Sequence, residues 1–332
     1  MNSSETAQEV GHVTRSAAWT INPQRLFAFV AALVYAGTLA SLPLLAFQDR
    51  ENYLVYARHS DVILAGYSDQ GVLAVIANEP LWLLVNIFLG VMLPPEGVMR
   101  LIIFFAAFAF AYIFLRADPK NLLWLVLLLF LPQILKNYTT HLRQGLAISI
   151  FMLGYQSARP GMRRLGILAA PLIHASFFFV AFLMILEYVG RRLRLGVDIR
   201  SVGAFIAAVL LGGNLLVIAE LTGARQAEEY TAGTAMTTGM GFVFWVGVVA
   251  LMSLQGKRYL SRNALALLAV VFYLGLYFFS PVAARIFESA LPLVLLALLA
   301  LTGWRKIAAL SALLGYTGLQ WALGLLREGS MF

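Results

Sequence analysis

The chain of 332 residues has no cysteine, four histidines, four lysines and 16 acidic residues, and charged side chains make up 12% of it. Without cysteine there is no disulfide framework, no thiolate chemistry and no Cys-ligated metal. The histidines are scattered, with no HxxxH or similar spacing, so a zinc site is not expected. A soluble globular chain carries about 25% charged residues, and this poverty of charge excludes a soluble enzyme, a nucleic-acid-binding domain and a disordered scaffold. What fills the chain instead is apolar: 61% of residues, with a mean hydropathy of +0.82. At ~20 apolar residues per span, that is material for about ten or eleven transmembrane helices.

The net charge of +8 follows from the tendency of Lys and Arg to collect in cytoplasmic loops. Arginine outnumbers lysine 20 to 4, a bias that genome composition alone would explain. Arginine is also the better bidentate partner for phosphate. The expected architecture is an all-α, polytopic bundle, with residues 1–25 a disordered cytoplasmic tail, 26–327 a single transmembrane domain and 328–332 a short tail. Apolar runs cover 26–47, 72–93, 98–115, 121–135, 144–156, 165–189, 201–222, 240–255, 263–280, 282–302 and 306–326. Between them, basic loops fall at 157–164, 190–200, 256–262 and 303–306, and acidic or mixed ones at 48–71 and 223–240.

From residue 190 onward strict alternation places 190–200, 256–262 and 303–306 in the cytoplasm and 223–240 outside. Upstream it fails, because 157–164 and 190–200 cannot both be cytoplasmic if 165–189 is one complete span. The run 72–93 is interrupted by Asn78-Glu79-Pro80, and 144–156 is short for a crossing. Discontinuous or re-entrant segments resolve the conflict, and these form where backbone lines a cavity within protein.

Ionisable residues at membrane depth are costly and mark function. Glu79 beside Pro80 is one case, although a proline in the first helical turn with an acid near the helix N-terminus is also an ordinary helix start. The stretch Lys136-Asn137-Tyr138-Thr139-Thr140-His141-Leu142-Arg143-Gln144-Gly145 is another. It carries the donor density of a phosphate or sugar site, with Arg143 and Gln144 at a helix mouth whose N–H groups favour anions. The alternative is a solvated interfacial loop with snorkelling Lys and Arg. His174 lies deep in an apolar run, as a structural hydrogen-bonder or a base. Arg285 and Glu288, three apart on one helix face, either neutralise each other or place Arg285 on the same outward cavity as Arg143.

The order of these motifs is informative. Asp49, Tyr53 and Tyr56 come first, then Glu79-Pro80-Leu81-Trp82, then His141-Leu142-Arg143-Gln144-Gly145-Leu146-Ala147-Ile148-Ser149, then Pro171-Leu172-Ile173-His174-Ala175-Ser176. This order resembles the EpsG branch of the Wzy-type polysaccharide polymerases over residues 45–185, with a weaker echo at Arg285. The resemblance implies a GT-C-like helical glycosyltransferase of the bacterial inner membrane, with its site facing the periplasm or the cell exterior. Its donor and acceptor would be undecaprenyl-diphosphate-linked glycans, joined into a surface polysaccharide such as O-antigen or exopolysaccharide. It would need no cofactor and no metal, and its partners would be membrane lipid, a flippase and a chain-length regulator, not nucleic acid.

Breaking a sugar–diphosphate bond builds negative charge on the leaving phosphate, and arginine is the group available to stabilise it. Arg143 is the first candidate and Arg285 the second, with His174 or Glu79 as the weak base for the acceptor hydroxyl. Asp49, Tyr53, Tyr138, His141 and Gln144 are the expected substrate-binding residues. The carboxylates of 48–71 are too widely spaced for a compact Mg²⁺ site. A membrane O-acyltransferase of surface glycans, an O-antigen ligase, and a lipid-linked-oligosaccharide flippase or transporter are the competing readings. No internal repeat of the kind a transporter shows is visible.

Overall fold

Among the described residues, proline starts helices more often than a side-chain cap does. The computed structural model describes residues 22–224 and 239–326. Helix α1 (Pro23–Ser41) opens with Asn22 accepting a hydrogen bond from the Gln24 amide at 3.0 Å. Four later helices also carry proline in their first turn: α4 (Pro80–Gly90), α5 (Pro95–Ala117), α7 (Pro132–Thr139) and α9 (Pro160–Ile173). Proline's missing N–H costs nothing there and its φ is already helical. The remaining helices are α2 (Arg50–Asp69), α3 (Val72–Ala77), α6 (Leu122–Leu129), α8 (Leu142–Tyr155), α10 (Phe177–Arg192), α11 (Val197–Gly212), α12 (Leu215–Thr222), α13 (Met240–Leu254), α14 (Lys257–Arg262), α15 (Ala264–Leu276), α16 (Ala283–Leu299) and α17 (Trp304–Leu326). No strand occurs among the described residues.

The core is built around two helices. Helix α5 buries Val98, Met99, Ile102, Ile103, Ala106, Ala107, Phe110, Ala111 and Phe114, the three-and-four spacing of an apolar stripe. It packs against α1, α2 and α8. Helix α16 is buried nearly all round, from Ile286 to Leu295 without a gap, and packs against α8, α10, α15 and α17. Large apolar side chains also face outward: Val91, Leu221, Val72 and Phe88 are 69–83% exposed. Water would disfavour such a surface and lipid would not. The protein is an all-helical, membrane-type protein.

The apolar runs are present as helices, but several are shorter or more broken than the expected ten or eleven crossings. Helices α1 and α5 are each long and apolar enough to span a bilayer. Two bent pairs join them if each pair counts as one span, at 65° between Pro119–Leu129 and Pro132–Thr139 and at 66° between Val197–Gly212 and Leu215–Thr222. The break at residues 78–79 falls where expected, between α3 and α4. The run 165–189 is also broken: α9 ends at Ile173, and His174 takes an extended conformation before α10.

Other segments differ from expectation. The region 48–71 is not an open loop but mostly the helix α2, irregular at His59. The stretch around Lys136–Gly145 is not a solvated loop, since Asn137, Thr139, Thr140 and Gln144 are all buried. Arg200, at the end of a segment expected to be a hydrated loop, is buried in an ion pair with Glu187. Residues 23–25 belong to α1 rather than to a tail. Residues 1–21 of the expected N-terminal tail, residues 225–238 of the expected outward loop and residues 327–332 lie outside the described residues.

Two glycines let α8 and α9 touch. A Cβ on Gly154 would sit 2.7 Å from the Gly166 Cα, so neither position has room for a side chain. Gly166→Leu is therefore expected to destabilise the protein by at least ~1–3 kcal/mol, read as a lowered melting temperature in detergent. Gly161→Leu, on the same helix but facing open space, is expected to leave it unchanged.

Candidate functional site

The site begins at a break in the chain. Between α3 and α4 the Asn78 side chain donates to the carbonyls of Ala74 and Gly223, both at 2.8 Å, fixing the turn. Glu79 follows with φ at +62°, a left-handed conformation that costs a non-glycine residue of order 1–3 kcal/mol. The glutamate is 1% exposed and its carboxylate is fully engaged. Oε1 accepts from His174 Nδ1 at 2.7 Å and from the Ala175 amide at 3.2 Å. Oε2 accepts from an Arg143 terminal nitrogen at 2.5 Å. Helix starts and breaks from three parts of the chain therefore meet on one carboxylate. In the tautomer whose Nδ1–H donates to Glu79, Nε2 is the acceptor of the ring.

Arg143 stands in the first turn of α8. Its guanidinium lies 5.8 Å from the Tyr53 ring centre and 5.3 Å from that of Tyr56, within cation–π range. Both rings, three apart on α2, are held edge-on by Trp82. The next residue, Gln144, is buried and donates to the Arg285 carbonyl at 2.7 Å and to Ser289 Oγ at 3.1 Å, tying α8 to α16. Ser289 in turn contacts Ser176 Oγ at 2.6 Å, at the mouth of α10. Gly145 lets α7 and α8 close on each other, since a Cβ there would overlap the Asn137 carbonyl. Behind this, the buried Arg50 donates to the Thr139 carbonyl at 2.5 Å and pins α2 to the end of α7.

These contacts surround a cavity of about 350 Å³. Seven of the residues expected from sequence line it: Asp49, Tyr53, His141, Arg143, Gln144, His174 and Arg285. Glu79 stands behind the wall and touches it through Arg143 and His174. Tyr138 is not brought to this cavity; it is 1% exposed, lies against Phe110, and its hydroxyl is 3.3 Å from Ser149. Glu288 forms an ion pair with Lys136, while Arg285 shares the cavity with Arg143. Sequence reasoning missed Asn52 and the role of Tyr56, both on the wall. Their signal was the spacing 49, 52, 53, 56, a helical face hidden by reading 48–71 as a loop. Among the described residues no three His, Asp or Glu side chains are grouped to hold a metal.

Comparison with known proteins adds one finding: the EpsG family model matches residues 45–327, most of the chain. No curated protein and no solved structure matches.

The Glu79–Arg143 contact carries a stability prediction. Removing one partner of a buried ion pair leaves an uncompensated charge, at a cost of about 3 kcal/mol or more. Glu79→Gln and Arg143→Met are each expected to lower the melting temperature. In a double-mutant cycle the pair is expected to couple by more than ~1 kcal/mol. Simple additivity would show that the two side chains do not support each other.

Proposed function

We propose a function on one settled premise, that the chain belongs to the EpsG family. Membership points to a polysaccharide polymerase, and the apolar helices point to a membrane-embedded one. In our reading the protein joins oligosaccharide repeat units carried on undecaprenyl diphosphate into a surface polysaccharide. The reaction takes place on the outer side of the bacterial inner membrane, and the helices from Pro23 onward form one transmembrane domain. The GT-C likeness belongs to the same proposal and is supported only by the all-helical build.

The observation that carries the reading is that two arginines, Arg143 and Arg285, share one cavity with a histidine held by a buried glutamate. In the proposed reaction the acceptor hydroxyl attacks the anomeric carbon of the donor chain, and the bond from that carbon to the diphosphate oxygen breaks. The hydroxyl proton passes to His174 Nε2. Negative charge grows on the departing lipid diphosphate, where the guanidinium groups of Arg143 and Arg285 stabilise it more strongly in the transition state than in the ground state. Glu79 does not reach substrate. It orients His174 and stabilises the imidazolium, the role a buried carboxylate plays behind a catalytic histidine. Asp49, Asn52, Tyr53, His141 and Gln144 supply hydrogen bonds and ring faces to the glycan next to the bond being broken. The positive charge needed comes from side chains, so the proposed chemistry is metal-independent.

Arg143→Ala is expected to lower polymer formation by ~2–4 kcal/mol of transition-state stabilisation, about a hundredfold or more. Arg143→Lys is expected to fall substantially as well, because it keeps the charge but loses the fork and the ring stacking. The measurement is polymer amount and length at matched membrane levels, and wild-type polymer from Arg143→Lys would remove the forked role. Purified protein given undecaprenyl-diphosphate-linked repeat units is also expected to build a polymer ladder in the presence of EDTA. Loss of all product on chelation would refute the metal-free proposal.

A further inference from the structure

A second cavity, of about 410 Å³, lies beside the first and shares His141 with it. Helix α16 divides the two: Arg285 faces the first, while Ala284, Phe287 and Glu288 line the second. The volume is in the range of small-molecule sites, ~300–1,000 Å³. Aromatic rings make up one part of its lining. Trp245 meets Phe287 edge-on with ring centres 4.6 Å apart, Tyr273 stacks on Phe287 at 4.6 Å, and Tyr316 stacks on Phe244 at 4.5 Å. The polar part consists of Gln48, the Gln133–Gln320 amide pair, the Lys136–Glu288 ion pair, Thr140 and His141.

The bonding within this lining is incomplete. Thr140 is 4% exposed and Glu288 is 3% exposed. Yet Thr140 Oγ1 and Glu288 Oε2 have no hydrogen-bond partner, and neither has His141 Nδ1. These three atoms are sealed within the wall, so the polar groups a ligand would meet are the Lys136 ammonium and the Gln133–Gln320 amides. The chemistry of that ligand follows from the lining. A diphosphate needs surplus positive charge, and the lysine here is already balanced by Glu288. A lipid chain needs no amides, threonine or ion pair. A sugar ring matches both parts, because its C–H face lies flat on aromatic rings while its hydroxyls both donate and accept.

We propose that the second cavity is a glycan subsite that holds one uncharged pyranose unit next to the arginine cavity. The proposal rests on the polymerase reading for its biological meaning, since it separates recognition of the sugar from recognition of the diphosphate. It can be tested without lipid.

The experiment is saturation-transfer-difference NMR on the purified full chain in detergent. The probes are methyl pyranosides of glucose, galactose, mannose, N-acetylglucosamine and N-acetylgalactosamine at millimolar concentration, with protein-free micelles as the blank. At least one glycoside is expected to receive saturation above the blank. That signal is expected to fall at least fivefold in Gln133→Leu and in Gln320→Leu, which nearly keep side-chain volume while removing the amides. Inorganic pyrophosphate, titrated calorimetrically against the same samples, reads the first cavity and is expected to bind wild type and both variants alike. No transfer to any glycoside in the wild type, or a signal unchanged in both variants, overturns the subsite. Failure of pyrophosphate to bind the wild type would instead count against the arginine cavity, and the glycoside result would stand by itself.

Discussion

One buried carboxylate organises this molecule. Glu79 accepts from an arginine 64 positions later, and from a histidine and a backbone amide 95 and 96 positions later. Each of these donors sits where a helix starts or breaks. A membrane-embedded chain cannot leave such ends unsatisfied, because the hydrocarbon offers no water to replace a missing partner. The carboxylate thus satisfies one backbone amide at the break between α9 and α10 and gathers the two side chains at the same time. The left-handed backbone at Glu79 is the conformational cost of bringing that carboxylate inward.

A second set of contacts extends the arrangement across the bundle. Gln144 binds the backbone of α16, and Ser289 of that helix binds Ser176 at the mouth of α10. Arg285 is thereby fixed relative to Arg143, although 142 positions separate them (285 − 143). Long side chains lose conformational entropy when they are positioned. Gln144 and Ser289 fasten the backbone beside the arginines, Glu79 holds Arg143 directly, and both arginines stay on the cavity wall.

Much of this was legible in the sequence, and the limits have physical reasons. Helix content and a membrane setting followed from composition. The break at Asn78-Glu79-Pro80 followed from polar residues and a proline inside an apolar run. Grouping Arg143, His174 and Arg285 was within reach because charges are expensive among apolar residues and so conspicuous. The helix α2 was not legible: its acidic and polar side chains resemble a loop, and only the spacing of Asp49, Asn52, Tyr53 and Tyr56 shows a helical face. Tyr138 was misplaced because a tyrosine in a polar stretch reads the same whether its hydroxyl meets substrate or Ser149. The pairing of Glu288 with Lys136 rather than simple neutralisation within α16 depends on how α7 and α16 pack, which no local pattern encodes.

The tie between Gln144 and residues 285–289 also has a consequence for how the protein comes into being. Polypeptides emerge from the ribosome in order, and contacts distant in sequence form last. Asp49, Tyr53, Glu79, Arg143 and His174 are all synthesised well before α16. The cavity wall closes only when Arg285 and Ser289 arrive. A nascent chain therefore carries an unfinished pocket through most of its synthesis, and the pocket is completed by the final packing step.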